Sequence, residues 1–274
     1  MKLSFSMVSY GSSESWIPAY SIEETIRRIR QNGYRQAELI TASPHAWPYF
    51  LDTKRRKEIN TCLKEYGLQI SSVIPYIGGG PGANLASPDA EERAWTVQYF
   101  KDIVDLAEAF SSPLVPCMAG WILFGKNKEQ AWEESREGLK QVAEYGARKN
   151  VKICLLPSDT ASGILDMPED VLKMKEEIGS SNITVGFDVR SAWNRIQDPV
   201  DYIYLFGEEL SYFALCDFNG KEPGSNGADF KAWKLALDKI GYAGTVTLKL
   251  NSARNVCADS VAIKSLEYLK SWEE

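Results

Sequence analysis

Histidine and paired cysteines are the first things that this 274-residue sequence lacks. His45 is the only histidine, and the five cysteines are widely spaced, odd in number and without a C-x-x-C pair. A zinc-like site needs three or four His, Cys or carboxylate groups that converge on one point. The cysteine pattern therefore argues against a disulfide framework and against a thiolate zinc site, and it predicts reduced, mostly buried thiols.

Long apolar runs and an excess of positive charge are also missing. No run reaches the roughly 18 apolar residues of a membrane span, and the start MKLSFSMVSYG is too polar for a signal peptide. The net charge of -6 argues against nucleic acid, because binding to phosphates needs clustered Lys and Arg. We therefore expect a cytoplasmic protein with no membrane or nucleic-acid partner.

Strand-like and helix-like segments alternate regularly along the chain. Eight strands are predicted, at 3–8, 36–40, 69–76, 113–120, 151–157, 183–189, 211–218 and 245–251. Each strand precedes a helical pattern, such as the one from Thr53 to Tyr66 that ends at Gly67, or the one for which Ser87 is the expected cap and Pro88 the first residue. No G-x-G-x-x-G follows the first strand. The pattern predicts one α/β domain over residues 1–274, a (β/α)8 barrel with its site at the C-terminal ends of the strands.

The last predicted strand carries an unexpected charge. In the stretch TVTLKL, Val246, Leu248 and Leu250 share one face, and Thr245, Thr247 and Lys249 share the other. In a barrel whose helices cover the first of these faces, Lys249 points to the inside.

Several segments together resemble the xylose-isomerase-like superfamily of sugar-phosphate isomerases and epimerases. They are NGYRQAEL, YGLQISSV, SPDAEERAWTVQYFKDIVDLAE, NVKICLLP, NITVGFDV, LSYFALCDFNG and PGSNGADFKAWKLALDKIGYAGTVTLKL. The resemblance spans nearly the whole chain and implies a TIM barrel. It also implies chemistry on sugars, in which members of the superfamily hold a divalent metal with Glu, Asp, His and Glu on strands five to eight.

The resemblance does not carry this metal site over. The four ligand positions of the superfamily fall on Leu156, Asp188, Ala214 and Lys249, so that one ligand of four is present. The His that commonly follows the strand-six Asp falls on Ser191, and the Lys before the strand-seven Asp falls on Cys216, while Asp217 is retained. We expect no metal and no other cofactor.

A buried Asp188 without a metal needs another counter-charge. We expect the ammonium of Lys249 to occupy roughly the space of the lost metal and to pair with Asp188. The pair is either a structural ion pair or a catalytic one, in which Lys249 polarises a substrate carbonyl or forms an imine. Glu38 on strand two is predicted to point inward, either as a proton-transfer base or as an acid that orders loop hydrogen bonds.

Other polar residues near the predicted mouth have two interpretations each. His45 lies on a loop and either binds a sugar hydroxyl or shuttles a proton, or is an ordinary surface histidine. Arg190 either clamps a carboxylate or phosphate of a ligand, or forms a rim salt bridge, for instance to Asp217 or Asp159. Asp217 is taken as a further substrate-binding residue.

Aromatic residues are frequent in the predicted loops at the mouth. Those in or next to βα loops are Trp16, Trp47, Tyr76, Trp121, Trp193 and Phe218. Such side chains can pack on the apolar faces of a sugar or on an aromatic aglycone. This clustering favours a neutral or bulky carbohydrate over a small phosphorylated sugar.

Three functions remain open from the sequence. The first is a sugar isomerase or epimerase that works without a metal, with Lys249 and Arg190 as electrophiles and Glu38 or Asp188 as the base. The second is a non-catalytic carbohydrate-binding relative, or the partner subunit of an active paralogue. The third is a metal enzyme with Glu38, His45 and Asp188 as unusual ligands. The expected partners are a small carbohydrate and, beyond it, a second copy of the chain or a paralogous subunit.

Overall fold

A computed structural model describes residues 1–11, 17–76, 83–158, 162–251 and 257–272. Eight parallel strands form a nearly closed barrel in the order β3-β2-β1-β8-β7-β6-β5-β4. The strands are β1 Lys2–Ser6, β2 Gln36–Ile40, β3 Gln69–Ile74, β4 Leu114–Cys117, β5 Lys152–Leu155, β6 Ile183–Asp188, β7 Leu210–Leu215 and β8 Thr245–Leu248. The predicted (β/α)8 barrel is confirmed.

Helices connect the strands and cover the outside of the barrel. They are α1 Ile22–Gln31, α2 Thr53–Tyr66, α3 Ala90–Ala109, α4 Lys128–Arg148, α5 Pro168–Ile178, α6 Val189–Trp193, α7 Pro199–Phe206, α8 Phe230–Lys239 and α9 Ala258–Tyr268. The short helix α6 was not predicted, because five residues are too few to show a helical period. None of the helices in the described ranges is long and apolar enough to cross a membrane.

The start of the third helix differs from the prediction. Helix α3 begins at Ala90, and its cap is Asp89, whose carboxylate accepts a hydrogen bond from the Glu91 N–H. The hydroxyl of Ser87 is bonded to the Glu92 carboxylate instead. An Asp two residues further along offers an equally good cap, and local sequence does not rank the two.

The barrel has a gap between β3 and β4, where the described residues form no backbone ladder. The Ile74 carbonyl accepts from Thr41 towards β2, and the Cys117 carbonyl accepts from Leu156 towards β5. Successive residues of a strand direct their backbone groups to alternate neighbouring strands. The backbone groups of Pro75 and Pro116 are therefore directed towards the gap. Because proline has no N–H, each strand lacks a donor here.

Side-chain alternation in β8 follows the prediction. Val246, Leu248 and Leu250 are buried in the hydrophobic layer between strands and helices. Lys249 follows the strand directly and lines the mouth of the barrel. The sequence therefore correctly predicts that this lysine lies on the inner face.

Candidate functional site

A cavity of about 200 Å³ opens at the C-terminal ends of the strands, where the barrel fold predicts a site. Its lining residues are Ile74, Pro75, Pro116, Cys117, Met118, Leu156, Pro157, Asp188 and Lys249. The side towards β3, β4 and β5 is apolar, and both charged groups lie on the side of β6 and β8. The cavity therefore has one face for hydrocarbon and one for polar oxygens.

Three prolines in the cavity wall were missed by the sequence analysis. Pro75, Pro116 and Pro157 lie at the ends of three consecutive strands and line the cavity together. Each of them stands in the sequence next to a run of apolar residues, as in VIPY, LVPC and CLLP. This repeated position at the end of a strand was the signal that could have identified them.

Asp188 is the centre of the polar side. It ends β6 and caps α6, where its Oδ1 accepts from the backbone N–H of Arg190 at 3.1 Å. The Arg190 guanidinium folds back and donates from Nε to Oδ1 at 2.9 Å and from a terminal nitrogen to Oδ2 at 2.5 Å. A second guanidinium nitrogen donates to Asn251 Oδ1 at 3.1 Å. The Arg190 side chain is thus held by hydrogen bonds to both Asp188 and Asn251.

The predicted pairing of Lys249 with Asp188 is confirmed, although Lys249 is the weaker partner. Its Nζ lies 3.7 Å from Asp188 Oδ2, which is beyond ordinary hydrogen-bond distance. The alternative that Arg190 forms a salt bridge is confirmed, but its partner is Asp188, which was not named for it. Asp159 lies outside the described residues. The bend from β6 into α6 brings Arg190 back onto Asp188, which strand periodicity does not predict.

The surroundings of Asp188 keep it ionised. Burial by itself raises the pKa of this carboxyl, but the charge and hydrogen bonds of Arg190, with the charge of Lys249, outweigh burial and hold the pKa below its usual value. A carboxylate with such a low pKa is a good hydrogen-bond acceptor and a weak base.

Glu38 points into the barrel as predicted, but it lies outside the cavity lining. Its Oε1 accepts from the Ser6 hydroxyl at 2.7 Å, and its Oε2 accepts from Ser72 at 3.0 Å and from Tyr212 at 2.7 Å. The residue is completely buried. Burial and then the charges of Glu38 and Asp188 raise the pKa of Tyr212 well above its usual value, so the phenol remains a donor. Glu38 thus joins four strands, and its role as a base stays a prediction.

His45 is buried, in contrast to the expectation of a surface histidine. Its Nε2 donates to the Tyr20 carbonyl at 2.9 Å. Burial lowers the pKa of the ring, even though that hydrogen bond and the charge of Glu23 oppose it. The neutral ring therefore joins two loops, and it does not line the cavity.

Asp217 organises the loop after β7. Its carboxylate accepts backbone N–H groups of Phe218 at 2.7 Å, Asn226 at 2.9 Å and Ala228 at 3.1 Å. Burial raises the pKa of Asp217, but these backbone donors outweigh burial and keep the pKa low. The carboxylate is thus used within the protein, and substrate binding by Asp217 stays a prediction.

None of the described aromatic residues of this group lines the cavity. Trp47 packs on Tyr99 with ring centroids 5.4 Å apart, and Trp193 packs between Phe218 and Trp233 at 4.6 and 5.7 Å. The backbone groups of Tyr76 and Trp121 are bonded to Thr41, Tyr99 and Asn84. Trp16 lies outside the described residues. Contact of these rings with a substrate stays a prediction, since loop position in the sequence does not fix ring direction.

The donor set does not fit a divalent metal. The superfamily ligand positions hold the hydrocarbon side chains of Leu156 and Ala214 and the cation of Lys249 beside Asp188. Within the described ranges no group of three or more His, Cys, Asp or Glu could hold a metal ion. The proposed set of Glu38, His45 and Asp188 is therefore wrong as a metal centre. A cation next to Asp188 would also be repelled by Arg190 and Lys249.

The thiols form no disulfide, and three of them are buried. All five cysteines are free, and Cys117, Cys154 and Cys216 are buried. Burial raises the pKa of Cys117, and it raises those of Cys154 and Cys216 to about 12. The expectation of reduced, mostly buried thiols is confirmed for these three. A protonated, buried thiol is a poor nucleophile, so Cys117 belongs to the apolar wall of the cavity.

The chain is similar to several known proteins. A family model described as xylose isomerase-like TIM barrel matches residues 26–272. D-psicose 3-epimerase of Ruminiclostridium cellulolyticum is 24% identical over 82% of this chain and 76% of that protein. A probable endonuclease 4 of Acholeplasma laidlawii is 24% identical over 70% of this chain and 67% of that protein. The crystal structure of D-psicose 3-epimerase with D-tagatose from Clostridium cellulolyticum covers all of both chains, with a TM-score of 0.82 and 20% identity.

Proposed function

The chain belongs to the xylose isomerase-like TIM barrel family, and we propose that it binds a small carbohydrate in the barrel mouth without a divalent metal. The observation that carries this proposal is the two-sided cavity, in which Lys249 and Asp188 face an apolar wall. The similarity to sugar epimerases supports a carbohydrate. The net charge of -6 speaks against DNA as the ligand, in spite of the relative named as an endonuclease.

The two sides of the cavity match the two kinds of surface on a sugar. The C–H face of a pyranose or an open-chain sugar packs on Pro75, Pro116 and Leu156, while hydroxyls donate to Asp188 and accept from Lys249. The volume of about 200 Å³ lies below the roughly 300 Å³ at which pockets for drug-sized ligands begin. A ligand of monosaccharide size therefore fits best.

The same geometry supports binding better than catalysis. Proton transfer next to a carbonyl needs a base with a pKa near the working pH. Asp188 has a lowered pKa and is occupied by Arg190, and Glu38 is saturated by three hydroxyls beneath the cavity. A carbohydrate-binding protein, alone or as the subunit of an active paralogue, therefore fits the geometry best.

Turnover is the second candidate, and the position of Lys249 favours it. Lys249 lines the cavity, and its Nζ is too far from Asp188 Oδ2, at 3.7 Å, for a hydrogen bond. As an ammonium, the group can polarise a sugar carbonyl. After it gives up a proton to solvent, the neutral amine can add to the carbonyl and form an imine with loss of water. The chemistry would then be isomerase-like or epimerase-like, with Lys249 and Arg190 as electrophiles.

Metal independence is the first expected result. We expect D-glucose or D-fructose to bind the purified protein in calorimetry with an affinity that changes less than twofold when EDTA or excess Mn²⁺ or Zn²⁺ is added. Met118→Trp, which fills the cavity, is expected to weaken binding at least tenfold. Leu205→Trp on the exposed surface of α7 is the matched control and leaves binding unchanged. Stoichiometric metal by elemental analysis, or loss of binding with EDTA, would overturn the proposal.

Solvent exchange separates binding from turnover. If the mouth only binds, D-fructose incubated with the protein in D₂O acquires no carbon-bound deuterium above a protein-free control. Mass spectrometry of the recovered sugar measures this directly. Incorporation that disappears in Lys249→Met, or a sugar adduct on Lys249 after borohydride reduction, would favour the second candidate instead.

A further inference from the structure

The three charged residues described at the polar side of the mouth, Asp188, Arg190 and Lys249, carry one net positive charge. Asp188 faces two cations, Arg190 and Lys249, and the two Arg190 side-chain hydrogen bonds satisfy both of its carboxylate oxygens. Among the described residues, Lys249 therefore has only the longer contact to Asp188, a carboxylate whose charge it shares with Arg190. An ammonium at an apolar wall without its own counter-ion is costly, and a ligand of opposite charge relieves this cost.

The other carboxylates that the structure describes near the mouth are bonded elsewhere. Asp188 is the only acidic residue that lines the described cavity. Glu38 is bonded to hydroxyls, and Asp217 to backbone N–H groups. Asp166 pairs with Arg195. Among the acidic groups that the structure describes, Asp188 is the only one within 4 Å of the Lys249 ammonium.

Lys249 is also placed to reach a ligand. Its side chain is 15% exposed, and Lys249 is one of the residues that line the cavity. The other wall is formed by Ile74, Pro75, Pro116 and Leu156, so a bound molecule is held with little water between it and the ammonium. A charge pair is stronger in such surroundings than at an open surface.

From these observations we infer that the natural ligand is a sugar acid, whose carboxylate pairs with Lys249 while its carbon chain lies on the proline wall. This inference rests on the proposed carbohydrate site and names the class of sugar it takes. The shared chemistry is an anionic oxygen on a small sugar. One excess charge and a cavity of about 200 Å³ match a singly charged carboxylate better than a doubly charged phosphate.

The test uses ligands that differ in charge and little else. Calorimetry at low salt compares D-glucuronate, D-glucuronamide, D-glucose and D-glucose 6-phosphate with the whole protein. We expect D-glucuronate to bind at least tenfold more tightly than D-glucuronamide or D-glucose. This preference is expected to shrink as salt is added, because added ions screen the charge pair.

Variants then assign the preference to one residue. Lys249→Met is expected to bring the ratio of glucuronate to glucuronamide affinity close to one, and Lys249→Arg to retain most of it. Lys234→Met is the matched control, since Lys234 forms a salt bridge with Asp238 on α8 and does not line the cavity. It leaves the ratio unchanged.

Each result has a distinct meaning. If D-glucose binds and D-glucuronate binds no more tightly, the inference fails while the carbohydrate site stands. If D-glucose 6-phosphate binds most tightly, the anion is a phosphate and the assignment of a carboxylate is overturned. If none of the four ligands binds, both the inference and the proposed function are overturned.

Discussion

Asp188→Asn is expected to lower the free energy of unfolding by about 3–5 kcal/mol. The substitution keeps the size of the side chain and an oxygen that can cap α6. It removes the carboxylate that, among the residues the structure describes, pairs with both Arg190 and Lys249. The two cations are then left to repel each other within a largely buried site. Urea denaturation with linear extrapolation measures the loss.

A second substitution shows whether this loss comes from the uncompensated cations. Adding Lys249→Met to Asp188→Asn is expected to recover part of the stability, because one cation is removed. As single substitutions, Arg190→Met is expected to cost more than Lys249→Met, since only Arg190 is hydrogen-bonded to Asp188. A loss below about 0.5 kcal/mol for Asp188→Asn, as at ordinary surface sites, would mean that the ion pairs contribute nothing to stability.

The same carboxyl makes a pH-dependent contribution to stability. The pKa of Asp188 is lower in the folded protein than its usual value, which is about 3.9 in the unfolded chain. Its contribution is therefore complete above the unfolded pKa and is lost as the pH falls through the folded pKa. Below about pH 4, the stability of the wild type should decrease more steeply than that of Asp188→Asn. Parallel curves would contradict the assigned direction.

Tyr212→Phe is expected to lower the free energy of unfolding by about 1.5–3 kcal/mol, the range for hydrogen bonds to charged groups. The substitution keeps the ring and removes the hydroxyl that donates to Glu38 Oε2 at 2.7 Å. Ser72 is then the only donor in the described contacts of that oxygen. Because Glu38 is completely buried, water does not replace the lost partner. Chemical denaturation at pH 7 gives the value.

Tyr202→Phe provides the matched control. The Tyr202 ring is as buried as that of Tyr212, but its hydroxyl donates to the neutral amide of Gln197 at 2.6 Å. A hydrogen bond between neutral groups contributes only about 0.5–1.5 kcal/mol. Equal losses of unfolding free energy in the two variants would contradict the prediction. They would show that the hydrogen bond to the Glu38 carboxylate contributes no more to stability than the bond to a neutral amide.

The sequence alone predicted the barrel fold. Strand and helix periods, caps and Gly67 are local signals, and they predicted eight units and the inward direction of Lys249. These features follow from side-chain alternation and from residue identity, which do not depend on distant contacts. The boundary of α3 and the short α6 are the exceptions, where competing caps or too few residues weaken the local signal.

The partners of each site residue were decided by the tertiary structure. Asp188 was paired from the sequence with Lys249 alone, but the turn after β6 brings Arg190 back to it with the shorter contacts. His45 is buried against the Tyr20 carbonyl, and Glu38 meets donors from three other strands. Residue type determined on its own which charges face the mouth. Which of them neutralise one another, and which is left for a ligand, depends on distances between strands far apart in the chain.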